Sequence, residues 1–431
     1  MKSFYVLKDF FKDNKKQYAL GIFWLILTDT LVLIEPKLIK AVTDGLQFKT
    51  MTRTDLLKYV AFIIIIYVFI GLGRYMWRVY LMGNSRKLEY YLRKKYYGHI
   101  ITLPMSFYNE NKVGDLITLG TNDIQNVRSA IGQGAVMLFD SLFLLIMGIF
   151  MMISTSNTKL TFMTIATFPL VIIIVARFGR IVYHRSRRVQ ESFSDLSDVT
   201  QESFSGIRVI KSFVKEEDNY QKFKDINNEN YNRNIHLTKI SAFFRPLSQW
   251  VLSISYVILI IFGGRMVING EISIGDFVAC NIYLGILSWP TMALGMVINV
   301  IQRGAASMDR LNEIFHTHSN ILEIDSPIEM HSPKGKVEFE NDSFKYPGAK
   351  YNALSNINIS IEPHNTLGII GRTGSGKTTL LNLLCRLMDT TEGAIKIDGV
   401  DISDIGIHNL RENISYAPQE SFLFSETINY N

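Results

Sequence analysis

Six apolar stretches, each about as long as a bilayer-crossing helix, constrain this 431-residue chain more than any other feature. A spanning helix needs about 20 consecutive, mostly apolar residues. The windows are 18–39, 57–80, 134–154, 160–182, 243–267 and 277–300. Charged residues make up only 19% of the chain, whereas soluble proteins carry about 25%. The sequence therefore predicts a polytopic α-helical membrane domain with six long helices, over residues 17–318.

The net charge of +6 comes largely from basic residues in the two long links between these windows. The first link carries Arg86, Lys87, Arg93, Lys94 and Lys95, and the second carries Arg185, Arg187, Arg188, Arg208, Lys211 and Lys215. Lys and Arg favour the cytoplasmic side, so we expect both long links and both termini to face inward. Residues 1–16 are basic and amphipathic, which predicts a helix lying on the inner membrane surface.

The same distribution of charge bears on the partner and the location. Nucleic-acid binding is not expected, because no reading helix or RNA-binding motif accompanies the basic residues. The inner links are basic and no organelle signal is recognisable, which indicates a multi-pass protein of the cell membrane, most simply a bacterial inner membrane.

The long links themselves have helical periodicity, as in "SRKLEYYLRKKYYGHIITL". This predicts helices that continue out of the membrane and turn at two cytosolic tips, near 103–115 and 203–213. Inside the windows, Asp29 and Asp140 place ionisable groups in the bilayer at a cost in free energy, which indicates a functional or structural role for them. Either they line a polar cavity or they form a hydrogen bond between helices.

The composition changes after the sixth window. Residues 319–336 form a predicted linker, and residues 337–431 begin with alternating strand patterns in "KVEFENDSF" and "NINISIEP". "TLGIIG" is a short apolar run of the kind expected for a strand buried on both faces. The Asp398-Gly399 pair predicts a tight hairpin, and "NISYAPQE" is a further predicted strand that Pro418 stops.

The run after "TLGII" fits the phosphate-loop pattern G-x-x-x-x-G-K-[ST] in full. It reads Gly371, Arg372, Thr373, Gly374, Ser375, Gly376, Lys377, Thr378 and then Thr379. Glycines let backbone N–H groups approach phosphates, and the following helix adds positive potential at its N-terminus. Lys377 is expected to bridge the β- and γ-phosphates, and the Thr378 hydroxyl to ligate Mg²⁺. A nucleoside triphosphate with Mg²⁺ is therefore the expected ligand.

With these motifs the chain resembles one half of an ATP-binding cassette (ABC) exporter, with six membrane spans fused to a partial α/β P-loop nucleotide-binding domain. In "FKYPG", Tyr346 matches the residue that stacks on adenine in that family. In "ISYAPQESFLFSETI", Gln419 matches the Q-loop glutamine that contacts Mg²⁺ and the attacking water. The two cytosolic tips resemble the family's coupling segments. The resemblance implies ATP and Mg²⁺ as cofactors, and catalytic roles for Gln419 and Lys377.

The resemblance also implies partners and a mechanism. One half cannot enclose ATP, so a second exporter half is expected, identical or different. Two cassettes closing on ATP would switch the membrane cavity from inward- to outward-facing. The aromatic- and Met-rich windows suit an amphiphilic drug or a lipid, and membrane lipid is a further partner. A peptide substrate is the alternative within the family.

The sequence departs from the family after Gln419. It has no LSGGQ-like signature, no apolar strand ending in Asp-Glu and no switch histidine, since His408 precedes Gln419. We therefore expect a C-terminally truncated fragment that binds ATP weakly and hydrolyses it negligibly. Two rivals from other classes are a non-catalytic membrane protein with a vestigial cassette and a membrane-anchored kinase or GTPase. The second would not need Tyr346, Gln419 or the long cytosolic hairpins.

Overall fold

A computed structural model describes residues 2–321, 323–324, 326–419 and 422–429 of the chain. The chain divides into two compact units. The membrane unit is Met1–Arg93 with Thr121–Asn312, and the nucleotide unit is Lys94–Gly120 with Glu313–Asn431. Two residues of the predicted linker, Leu322 and Asp325, and two of the predicted Q-loop segment, Glu420 and Ser421, lie outside the described residues.

Six helices in the described residues are long and apolar enough to cross a membrane, which confirms the prediction of six. We number them spans 1 to 6: Lys15–Gln47, Arg53–Ile100, Val113–Thr155, Thr158–Ser205, Gln249–Ile268 and Ile274–His316. Spans 2, 3, 4 and 6 are 43 to 48 residues long, about twice what a bilayer requires. The helical periodicity of the links is thus realised as continuous helix beyond the apolar windows.

Several spans are built from shorter helical pieces. Span 2 joins Arg53–Trp77 and Gly83–Ile100 through the π-helical turn Arg78–Met82. Span 3 comprises Val113–Thr118, π-helical Leu119–Asp123, Ile124–Ser129, π-helical Ala130–Gly134 and Ala135–Thr155. Span 4 comprises Thr158–Ile165 and Phe168–Ser205. Span 5 is the C-terminal part of a longer helical segment, which consists of Glu216–Ile258, π-helical Leu259–Gly263 and Gly264–Ile268. The amino-terminal segment is the 3₁₀-helix Lys2–Leu7 followed by Lys8–Asp13.

The core of the membrane unit forms where apolar faces of several spans meet. Tyr283 of span 6 is fully buried there, and its hydroxyl donates to the Leu33 carbonyl of span 1 at 3.0 Å. Spans 3 and 6 approach closely at Gly304, where an added Cβ would lie 2.2 Å from the Cβ of Ala130. Small residues of this kind let helix backbones pack tightly in lipid, where the hydrophobic effect gives little drive.

The two intramembrane carboxyl groups, Asp29 of span 1 and Asp140 of span 3, are close enough to interact electrostatically. Asp29 is buried, and its Oδ2 has no hydrogen-bond partner among the described residues. The polar cavity and the interhelical hydrogen bond therefore both stay predictions.

Both predicted tips contain a chain reversal with a short helix. Span 2 ends at Ile100, a helix follows at Met105–Glu110, and span 3 begins at Val113. Span 4 ends at Ser205, a helix follows at Ile207–Ser212, and the next helix begins at Glu216. We call these two short helices the first and second tip helices.

The nucleotide unit contains a four-stranded antiparallel sheet. Its strands are β1 (Val337–Phe344), β2 (Leu354–Ile361), β3 (Glu392–Ile397) and β4 (Val400–Asp401), in the order β2-β1-β3-β4. The predicted hairpin is confirmed, since Asp398 and Gly399 both have positive φ between β3 and β4. The sheet packs its apolar face on the helix Lys377–Leu384, while a helix at Ile407–Glu412 completes the core.

Two predicted strands are absent from the described residues. The run 366–371 is irregular, and Ile370 at its end is 98% exposed rather than buried. The run 413–419 is likewise irregular. A strand buried on both faces needs backbone partners in a sheet, and β1 to β4 pair only with one another. The apolar composition of these runs was therefore a misleading guide to their structure here.

Candidate nucleotide-binding site

The phosphate loop depends on glycine at the positions where its backbone turns. Gly374 and Gly376 have φ of +82° and +88°, a region that L-residues rarely adopt. A Cβ added to Gly376 would lie 2.7 Å from the Ala353 carbonyl oxygen and 2.8 Å from the side chain of Leu354. The start of β2 thus fixes the end of the loop, and a larger residue at 376 would displace it.

Lys377 lies across the mouth of the loop. Its Nζ donates to the carbonyl oxygens of Gly371 and Arg372, both at 2.8 Å. A Cβ on Gly371 would lie 2.6 Å from Ser375 Oγ, so the loop is curled tightly around the ammonium. This arrangement holds a positive charge next to the backbone groups that would receive phosphate oxygens.

The helix Lys377–Leu384 begins directly after the loop. The N–H groups of its first turn have no acceptor within the helix, so they are available to an anion. Thr378 is exposed, so its hydroxyl can reach a Mg²⁺ ion, whereas Thr379 is buried against the sheet. The donors, the ammonium and the hydroxyl together fit a magnesium–nucleoside triphosphate.

Tyr346 lies beside the same helix. Its hydroxyl is 3.0 Å from Thr379 Oγ1, and its ring packs edge-on against Phe344 with centroids 4.8 Å apart. The structure therefore brings Tyr346 to the first turn of the helix that follows the phosphate loop. Sequence reasoning predicted a role for Tyr346 and for Thr379, but not their contact.

Gln419 is exposed, and no hydrogen bond joins it to the phosphate loop in the part of the chain that the structure describes. Its segment is nevertheless tethered to the site, because the Tyr416 hydroxyl donates to Asn382 Oδ1 at 3.3 Å. Asn382 belongs to the phosphate-binding helix. The predicted role of Gln419 toward Mg²⁺ and water thus stays a prediction.

A basic pair links the end of this helix to the next one. Arg411 donates to the carbonyl oxygens of Cys385 and Arg386, at 3.2 and 2.8 Å. Arg386 is itself buried, and its guanidinium donates to Asp389 at 3.0 Å. Sequence reasoning missed this network, because neither arginine belongs to a recognisable motif.

The same Arg411 lines a groove shared with the first tip. The groove has a volume of about 420 Å³. Leu103, Met105 and Tyr108 of the tip line one part of it, and Leu387 and Ile407, from the region between the helices Lys377–Leu384 and Ile407–Glu412, line another. All of these residues belong to the nucleotide unit. The first tip is thus packed into the unit that carries the phosphate loop.

The end of span 6 is held within this unit as well. His99 Nε2 is 2.8 Å from the Ile314 carbonyl oxygen and 3.0 Å from that of Thr317. The ammonium of Lys95 lies 5.0 Å from the ring centroid of Phe315. These contacts join the C-terminal part of span 2 to the residues that lead into the linker.

These features define a class: a six-span membrane protein fused to a P-loop nucleotide-binding region. The chain matches the family model described as "ABC transporter transmembrane region" over residues 18–291, and the model "ABC transporter" over residues 354–431. The first match alone covers more than half of the chain, and the chain belongs to the ABC transporter family, with the fused architecture of a half-transporter.

Curated relatives place it among exporters of the multidrug and lipid type. It is 33% identical to the probable multidrug resistance ABC transporter ATP-binding/permease protein YheI of Bacillus subtilis, over 98% of this chain and 72% of the relative. It is 31% identical to the multidrug resistance-like ATP-binding protein MdlA of Escherichia coli, over 99% of this chain and 72% of the relative. It is 28% identical to an ATP-dependent lipid A-core flippase of Syntrophus aciditrophicus, over 97% of this chain and 69% of the relative.

Proposed function

We propose that this chain is one half of a dimeric exporter that uses ATP to move an amphiphilic drug or lipid across the cell membrane by alternating access. The names of its relatives, which include multidrug transporters and a lipid A flippase, support this substrate class. Both termini and both tips would lie in the cytosol, in agreement with the basic links.

In this proposal the phosphate loop binds ATP with Mg²⁺. Lys377 contacts the β- and γ-phosphates, Thr378 ligates the metal, and Tyr346 supports the adenine. Gln419 would contact Mg²⁺ and the attacking water when the cassette closes. Mg²⁺ would neutralise charge on the transferred phosphoryl group, and the loop would fix its position.

One observation carries the proposal: the phosphate loop and the first tip belong to one compact unit, in which Arg411 donates to the Arg386 carbonyl and lines the same groove as the tip. A change at the C-terminal end of the phosphate-binding helix would alter the carbonyl groups that Arg411 holds. Arg411 also lines the groove that contains the tip, so the change would reach spans 2 and 3. Nucleotide binding would thereby bias the membrane helices toward one of two arrangements.

The second tip supports a partner half. Val209, Phe213 and Val214 are each more than 60% exposed there, although they are apolar and lie outside the membrane windows. Exposed apolar clusters on a polar surface are typical of protein interfaces. In the proposed dimer, this tip docks on the cassette of the second half, which also completes the ATP site.

The test is transport by the protein purified from the membranes of its own host and reconstituted in liposomes. We expect ATP to drive accumulation of a fluorescent amphiphile such as Hoechst 33342 in vesicles whose cassettes face outward, and vanadate to stop it. The Lys377→Ala protein should not accumulate it. Accumulation that needs no ATP, or that survives Lys377→Ala, would disprove the proposed function.

A further inference from the structure

A basic groove lies between spans 4 and 6, entirely within the membrane unit. Its volume is about 590 Å³, which is in the range of ligand-binding clefts. The polar side chains that line it are Arg180, His184 and Ser186 of span 4 and Asn299, Gln302 and Arg303 of span 6. Apolar surface from Val182, Tyr183 and Ala306 completes its walls.

The groove carries positive charge that the described residues do not neutralise. Arg180 and Arg303 approach it from different helices, and neither forms an ion pair among the described residues. Among the residues that the structure describes, no carboxylate lines the groove. Farther along span 4, Arg185 and Arg188 line a second, smaller cavity of about 260 Å³ together with Glu191, so this neighbouring cavity, unlike the groove, contains a carboxylate.

The position of the groove indicates what kind of anion it would bind. It begins where the apolar window 160–182 gives way to charged residues, so it lies at the membrane–water boundary. From Gly179 to Ser186 the helix rises by roughly 10 Å, about the depth of a headgroup layer. Tyr183 is 65% exposed beside the groove, as is common for tyrosines at headgroup level.

We propose that this groove binds the phosphate of an anionic phospholipid. Arg180 and Arg303 would contact the phosphate from opposite sides, Asn299 and Gln302 would donate to headgroup oxygens, and the acyl chains would follow the apolar faces of the spans into the bilayer. Charge complementarity supports the headgroup, and the apolar walls support a ligand with chains rather than a free anion. This lipid site does not rest on the proposed transport activity.

The first test removes charge. Purified chain in a non-ionic detergent is titrated with phosphatidylglycerol or phosphatidylcholine, and bound lipids are counted by native mass spectrometry. We expect phosphatidylglycerol to bind more tightly than phosphatidylcholine. The Arg180→Gln/Arg303→Gln protein should lose this preference, with a roughly tenfold to thirtyfold weaker affinity.

Its matched control removes the same charge at the opposite membrane boundary. Lys49 and Arg53 are exposed at the link that leads into span 2, and neither forms an ion pair among the described residues, so Lys49→Gln/Arg53→Gln lowers the net charge equally. Binding of phosphatidylglycerol should remain at the wild-type level in this protein. Equal losses in both double variants would show only general surface attraction and would overturn the site.

The second test fills the groove and keeps every charge. Gly179 lines the groove, and an added Cβ there would lie 3.9 Å from Asn299 Nδ2, an ordinary contact. Gly179→Leu should therefore fold normally and weaken phosphatidylglycerol binding at least fivefold. Gly71→Leu is the control, because a Cβ at Gly71 on span 2 meets nothing within 4 Å.

Three results would overturn the proposal. One is equal affinity for phosphatidylglycerol and phosphatidylcholine in the wild-type chain. Another is unchanged binding in Gly179→Leu together with unchanged binding in the arginine double variant. The third is displacement of the bound lipid by millimolar inorganic phosphate, which would make the groove a site for free anions rather than for a lipid.

Discussion

The hydroxyl of Tyr346 lies 3.0 Å from Thr379 Oγ1, and this contact joins the residue expected to support adenine to the helix expected to bind phosphate. Thr379 is buried, so its hydroxyl depends on Tyr346 as a partner in the described structure. The base end and the phosphate end of the proposed site are therefore positioned by one another.

We expect the ring of Tyr346 to determine ATP affinity and its hydroxyl to contribute mainly to stability. Tyr346→Ala removes the stacking surface and should weaken ATP binding by roughly fivefold to a hundredfold, as is typical for a stacked base. Tyr346→Phe keeps the ring and should change ATP affinity less than threefold, at a cost of about 1 kcal/mol in stability because Thr379 loses its partner. Competition against a fluorescent ATP analogue measures both. Equal loss of affinity in the two variants would argue against stacking.

The buried carboxyl group of Asp342 in β1 is expected to destabilise the nucleotide unit. Its side chain is 0% exposed, neither carboxylate oxygen has a hydrogen-bond partner among the described residues, and burial raises its pKa. Asp342→Val should raise the free energy of unfolding by roughly 1–3 kcal/mol at neutral pH, because an unsatisfied buried polar group is removed. Asp342→Asn is the control and should gain less, since the amide is also unsatisfied.

The pH dependence of this defect has a definite sign. A raised native pKa means that the folded protein retains its proton to a higher pH than the unfolded chain does. The contribution of Asp342 to stability is therefore full below the ordinary carboxyl pKa, and it is lost as the pH rises through the raised value. Asp342→Val should remove this component, so the variant should gain most above that window.

The two cysteines allow each unit to report its own unfolding. Cys385 is buried in the nucleotide unit and Cys280 in the membrane unit, and both are free thiols. With Cys280→Ala in the background, reaction of Cys385 with a fluorogenic maleimide during heating follows the nucleotide unit. An unchanged or lower transition for Asp342→Val in that assay would contradict the prediction.

The ion pair between Asp123 and Arg310 is expected to stabilise the membrane unit. The buried Asp123 carboxylate accepts from Arg310 at 3.0 and 2.6 Å and from Ser307 Oγ at 2.8 Å, which ties span 3 to span 6. Asp123→Asn should cost roughly 2 kcal/mol, because hydrogen bonds to a charged group are lost. With Cys385→Ala in the background, the Cys280 transition should fall by about 4–8 °C.

The control for Asp123 is an exposed ion pair. Glu202→Gln removes the ion-pair partner of Lys222 near the second tip, where both side chains are more than half exposed. Exposed pairs contribute less than about 1 kcal/mol, so this variant should melt close to wild type. A drop equal to that of Asp123→Asn would show that burial is not the cause.

Gly304 predicts a steric limit between spans 3 and 6. An added Cβ would lie 2.2 Å from that of Ala130, so Gly304→Leu should separate the helices and lower the Cys280 transition by more than 4 °C. Gly264→Leu is the matched change, since a Cβ there meets nothing within 4 Å. Similar transitions for the two proteins would contradict the close approach.

Features that depend on local pattern were predictable from the sequence. Apolar length located the spans, and the spacing of Gly371, Gly374, Gly376 and Lys377 located the loop, because each pattern is short-range. The strands expected at 366–371 and 413–420 are absent from the described residues 366–371 and 413–419, since a strand needs pairing partners that no local pattern supplies. The Arg411 network and the Asp123–Arg310 pair join residues far apart in the chain, so no single-sequence pattern indicates them.

The central claim is that the phosphate loop binds ATP with Mg²⁺, and photolabelling of the purified chain with 8-azido-ATP tests it most directly. We predict labelling that excess ATP prevents, that Lys377→Ala weakens by roughly 10- to 100-fold, and that Lys377→Arg partly restores. Thr378→Val should remove its dependence on Mg²⁺. Labelling that is the same in wild type and Lys377→Ala, at every ATP concentration, would contradict the account.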